Sequence, residues 1–163
     1  MNEKSTKSFK ESLFTALTLF NNHEWYEAHD AFEEIWNSVD GDERQVIQGI
    51  LQVSVSQFHL SKGNLNGATI LLGEGLGRIK TRTKINLGID LESFCRCLED
   101  LLRKLQYKEQ LSENDKPFLK PLWKTWILWK YLYLQWNYYF LSHFYFKKTR
   151  KLINLNENEP KDS

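Results

Sequence analysis

Between Glu24 and Trp36 the chain reads EWYEAHDAFEEIW, a run of carboxylates around a single imidazole. These are the ligand types that zinc, iron and manganese take from proteins, and the groups that move protons in general acid–base work. On a helix, His29, Glu33 and Trp36 stand at i, i+4 and i+7 and share one stripe, with His29 and Glu33 one turn apart as a chelate requires. Further on, Gln48, Gln52, Val55 and His59 repeat the same spacing at i, i+4, i+7 and i+11. If the two helices lie side by side, the two polar lines meet.

Two chemistries fit such a meeting. In one, His29, Glu33 and His59 bind a divalent metal with Glu27 or Asp30 assisting, and Glu27 serves as the general base of a hydrolase-like enzyme. In the other, His29, Glu33, Gln52 and His59, with Gln48 beside them, form a buried hydrogen-bond network that satisfies its own polar groups and fixes helix register. A buried network makes His29→Ala cost about 1–3 kcal/mol through the partners it leaves unpaired. The doubled Glu-x-x-His of di-iron bundles and the His-Glu-x-x-His of zinc proteases are both missing. So are a nucleophile elbow and a phosphate-cradling loop; the glycines of LLGEGLG fall inside a helical pattern with no strand before them. The leading expectation is therefore a noncatalytic helical interaction module for a protein partner or a second copy, with no cofactor assigned. A divalent metal belongs to the alternative.

The elements that must position these residues are all helices. Phe9, Leu13, Ala16, Leu17 and Phe20 recur at helical spacing, as do Ala28, Phe32 and Ile35 after the break at NNHE. A helix over roughly 43–61 is apolar around much of its circumference and is expected to be central; Asp42 and Gln45 could make a capping box at its start. Ala68, Leu71, Leu72, Leu76 and Ile79 mark a fourth helix, and Asp90 caps a fifth with Phe94, Leu98, Leu101, Leu102 and Leu105 inward. Gly73 and Gly77, one turn apart, would admit a close neighbour. No strand-length alternation of apolar and polar residues occurs before residue 110.

A repeat is concealed in this pattern. Shifting the chain by 40 residues places Leu13 on Val53, Phe20 on Leu60, Trp25 on Leu65, Ala28 on Ala68, Phe32 on Leu72 and Trp36 on Leu76. Both halves read as helix, short turn, helix, with alanine where the helices touch, which is the logic of tetratricopeptide-like hairpins. The fifth helix is the natural cover for their open faces. The fold class is thus all-α, about five helices in stacked hairpins over residues 7–106. A C-terminal aromatic helical extension is expected over 107–148 and a disordered tail over 149–163.

FNNHEWYEAHDAFEEIW, RQVIQGILQVSVSQFHLSKGNLNGATILL and GID together resemble the domain-of-unknown-function 309 family. The family pattern runs Phe-Asn-x-Gly-x-Tyr-x-Glu-x-His-Glu-x-x-Glu-x-x-Trp, then Gln-Gly-Leu-Ile-Gln, then histidine followed by Gly-Asn and Gly-Ala. The likeness spans about residues 10–105. It places the family's marked residues on Phe20, Asn21, Glu27, His29, Glu33, Trp36, Gln48, Gln52, His59, Gly63, Asn64, Gly67 and Ala68. It implies a small all-α domain of cytosol or plastid stroma with no established activity. His23 stands where the family has glycine, which implies a slightly different turn, and Asp30 replaces a glutamate.

The bulk chemistry is that of a cytoplasmic globular protein. With 163 residues and a net charge of +1, the average surface does not attract nucleic acid. Cys95 and Cys97 are too close along a helix to pair with each other, and the polar N-terminus has no signal-peptide run. From Phe118 to Phe146 the chain is rich in aromatic residues and free of acids. Lysines and polar residues interrupt any clean membrane span. Trp123, Trp126, Trp129 and Trp136 there could contact a partner or a membrane surface, with 118–151 as the contacting segment.

Overall fold

The computed structural model describes residues 3–122, with side chains from residue 9 onward. Within them are five α-helices: α1 (Glu3–Asn21), α2 (Trp25–Ser38), α3 (Gly41–Ser61), α4 (Leu65–Lys80) and α5 (Leu91–Tyr107). A short 3-10 turn follows at Glu113–Asp115, and no strand occurs among the described residues. None of the described helices is long and apolar enough to cross a membrane. The aromatic extension with Trp123, Trp126, Trp129 and Trp136 lies outside the described residues.

Each helix packs on the next in sequence, and α3 sits between α2 and α4. The apolar spacing explains this order: α2 buries one stripe, Ala28, Phe32 and Ile35, whereas α3 buries residues on several sides, including Val46, Ile47, Ile50 and Val53. Phe20 is the hub of the core. Fully buried, it meets Trp25, Phe32 and Phe94 edge to face, with ring centroids 5.2, 6.3 and 5.8 Å away. Its contact with Phe94 brings α5 onto the first hairpin, so the fifth helix covers both.

The 40-residue repeat is real down to the backbone. His23 and Gly63 both adopt left-handed conformations, with φ of 66° and 76°. The next residues, Glu24 and Asn64, share φ of −82° and ψ near 70° and 77°. His23 N–H donates to the carbonyl of Phe20 as Gly63 N–H does to Leu60, and Glu24 N–H donates to Leu19 as Asn64 N–H does to His59. His23 therefore makes the same turn as its glycine counterpart, not a different one, and carries the cost of a side chain there, on the order of 1–2 kcal/mol. Its ring lies against Trp25 at 5.1 Å.

Two further expectations are corrected. The helix contact runs through Gly49 and Gly75, not Gly73 and Gly77. A Cβ on Gly75 would stand 2.6 Å from the Gly49 carbonyl oxygen, and one on Gly49 would stand 2.6 Å from Ile79. Gly77 faces open space, and a Cβ on Gly73 would meet only Leu102, at 3.9 Å. Nor does Asp42 cap α3: the helix begins two residues earlier than expected, at Gly41, after Asp40. Asp42 instead accepts from Arg82 Nε at 2.8 Å, and Gln45 accepts from Arg78. The Asp90 cap on α5 is present, its carboxylate accepting from the Ser93 N–H at 2.9 Å.

The body does not end with α5. Pro117, Leu119 and Pro121 are buried in alternation with exposed Phe118, Lys120 and Leu122, the period of an extended chain. Lys120 C=O accepts from Asp90 N–H, and Leu122 N–H donates to Gly88 C=O. The Asn21 carboxamide grips this strap on both sides of one peptide position, donating to Leu119 C=O and accepting from Leu119 N–H, each at 2.9 Å. Residues 109–122, which the sequence reading gives to a helical extension, are in this way tied to the end of α1.

Candidate functional site

His29, Glu33 and Trp36 from α2, Gln48, Leu51, Gln52 and Val55 from α3, and Leu71 from α4 line one open cleft of about 210 Å³. The expected stripes thus do face each other: residues at i, i+4 and i+7 of α2 meet residues at i, i+4 and i+7 of α3. Leu51, Val55 and Leu71 make an apolar floor, and the polar groups stand around it. α2 and α3 run antiparallel, joined by Val39 and Asp40, so Tyr26 meets Phe58 at one end and Trp36 meets Arg44 at the other.

The polar residues do not form a buried network. His29 retains a third of its side-chain exposure, and its Nδ1 lies 3.1 Å from the carboxylate of exposed Asp30. Glu33 is exposed. Gln52 turns toward α4, donating to Glu74 at 2.7 Å and accepting from Arg78 Nε at 2.9 Å. His59 lies at the α3–α4 turn, where its Nδ1 is 3.0 Å from Asn64 Nδ2. The physical reason is angular: the His29 stripe is one residue, about 100°, from the buried stripe of α2, which puts it on the rim and not in the core. His59 stands one turn past Val55, beyond the end of the cleft.

Glu27 is exposed and takes no part in the cleft. Asn64, beyond its contact with His59, caps α4 by accepting from Gly67 N–H at 3.0 Å. Ala68 is fully buried, matching Ala28 in the first hairpin. Trp36 is half-buried, its indole N–H without an acceptor among the described residues and its ring 3.9 Å below the Arg44 guanidinium.

The ligand atoms of His29, Asp30 and Glu33 all lie within 4.8 Å of one another. This group differs from the expected metal set: Asp30 takes the place of His59. Sequence reasoning overlooked the ladder beside the cleft, in which Arg78 donates to Gln45 and Gln52 while Arg82 donates to Asp42 and stands 3.2 Å from the Arg78 carbonyl. The signal was present in two arginines four residues apart, Arg78 in the last turn of α4 and Arg82 just past its end, opposite polar residues near the start of α3. Burial raises the thiols: Cys95 is pushed up to about 11, and Cys97 is raised for the same main reason, so neither is a ready nucleophile.

Residues 13–71 match the model of the family described as Domain of unknown function (DUF309). The match bears out the family resemblance over this segment. Every residue lining the cleft falls inside it, Leu71 being the last residue matched. The cleft thus lies within the matched segment, whereas most of α4, α5 and the strap lie beyond it. No curated protein matches the chain.

Proposed function

We propose that this chain is a noncatalytic interaction module whose recognition surface is the cleft between α2, α3 and α4. Its size carries the reading. Small-molecule sites usually occupy roughly 300–1,000 Å³ and enclose most of their ligand. A cleft of about 210 Å³ that opens to solvent suits one or two side chains of a partner protein better than a substrate. An apolar floor under separate polar groups is likewise the make-up of a small protein contact. The paired hairpins are read as tetratricopeptide-like, a design in which stacked helices offer a groove to a peptide. The two cysteines stand unpaired, in keeping with a cytoplasmic location.

Selection of peptides displayed against the full-length chain tests this reading, with Leu71→Arg filling the cleft floor. Peptides that bind the native chain should lose binding to that variant. If every selected peptide binds both equally, the cleft is not the recognition surface.

The close grouping of His29, Asp30 and Glu33 favours a second reading, a divalent metal at the cleft rim. Metal analysis of protein purified without an affinity tag decides it. Stoichiometric zinc, iron or manganese that disappears in His29→Ala supports the metal; a metal-free native sample, not loaded by added zinc, opposes it.

A further inference from the structure

We infer that the occupant of the cleft is a lysine or arginine side chain presented by a partner protein; this rests on the reading of the cleft as a recognition surface. The groups on its rim divide into those already engaged and those open to a ligand. Both ends of the Gln52 amide are taken, by Glu74 and Arg78. Arg78 is held by Gln52 and Gln45, and Arg44 by the face of Trp36 and by Asp40 at 3.8 Å. His29 faces Asp30.

The indole N–H of Trp36 also lacks an acceptor among the described residues but is closed off from solvent, so what remains open is the Glu33 carboxylate and the Gln48 amide. Neither has a hydrogen-bond or ion-pair partner among the described residues, and both line the cleft. The exposed surface of α2 as a whole carries the same sign. α2 contains Glu27, Asp30, Glu33 and Glu34 and no lysine or arginine, and all four acids are exposed. Among the described residues no lysine or arginine lines the cleft, so an anionic group would meet Glu33 without a counter-charge.

A cationic side chain fits each part. Its methylene stem lies along Leu51, Val55 and Leu71, and its charged head reaches Glu33 and the carbonyl oxygen of Gln48. A wholly apolar side chain would fill the floor but leave Glu33 facing a desolvating neighbour. The electrostatics therefore select the head group, and the floor selects a long stem.

The test uses the full chain and three blocked pentapeptides, Ala-Leu-X-Leu-Ala, with X as lysine, norleucine or glutamate, followed by amide NMR titration. The lysine peptide should shift resonances of α2 and α3 around the cleft and bind at least about tenfold more tightly than the other two. Glu33→Gln should remove that advantage, whereas Glu34→Gln, an exposed acid on the same helix away from the cleft, should leave it intact. If the three peptides bind the cleft equally, or if Glu33→Gln has no effect, the cationic occupant is wrong while the recognition surface stands. If none shifts the cleft resonances, both ideas fall together.

Discussion

His29 is the residue on which the candidate chemistry turns, yet its surroundings are wet. A partly exposed imidazole beside an exposed carboxylate contributes little to stability, so His29→Ala should cost no more than about 0.5 kcal/mol in urea denaturation. That is well below the cost of emptying a buried network. Asn21 is the contrasting case. Its carboxamide is the partner of both backbone groups of fully buried Leu119, and Asn21→Ala should cost about 2–3 kcal/mol by the same measurement. The helical spacing of His29, Glu33 and Trp36 was enough to put them on one stripe. The same spacing set that stripe about 100° from Ala28, Phe32 and Ile35, at the edge of the core, but it could not show that the polar groups there would stay apart and wet instead of closing into a network. The partner of Asn21 is 98 residues away, and no local pattern could name it.

At the scale of elements, the repeat was the most legible feature. It rests on short-range rules, helical periodicity and turn chemistry, which a sequence states directly, and the two turns agree down to their positive φ values. Which glycines bring helices together was less legible. Spacing alone favours Gly73 and Gly77, but contact requires glycines that face each other across the α3–α4 interface, and these are Gly49 and Gly75. Paired substitutions separate the cases. Gly75→Ala should destabilise the protein by about 2–3 kcal/mol, because the new methyl group would press on the backbone of α3. Gly77→Ala meets open space and should stabilise it by up to about 1 kcal/mol. Equal effects in thermal or urea melts would contradict this account of the helix contact.

At the scale of the whole body, the strap after α5 closes the structure. Alternation in PFLKPL marks an extended chain, but six residues among aromatics are too short a run to declare where they pack. The strap is preceded by a turn in which Asp115 accepts from Lys104 and from the Ser112 N–H, which holds its carboxyl at about 2, below the ordinary 3.8. A lowered folded-state value means that this contribution is complete above the ordinary value and is lost as pH falls toward 2. Asp115→Asn should flatten stability between pH 4 and 2, as followed by urea melts across that range; an unchanged slope would place the acid sensitivity elsewhere.

The two hairpins, the glycine contact and the open Glu33 carboxylate together predict one event at the cleft. The most direct measurement is of intermolecular nuclear Overhauser effects between a bound lysine peptide and the full chain. Contacts from the lysine methylene protons to the methyl groups of Leu51, Val55 and Leu71 are the expected result. Contacts confined to exposed Tyr26 and Phe58, at the end of the α2–α3 pair, would contradict it.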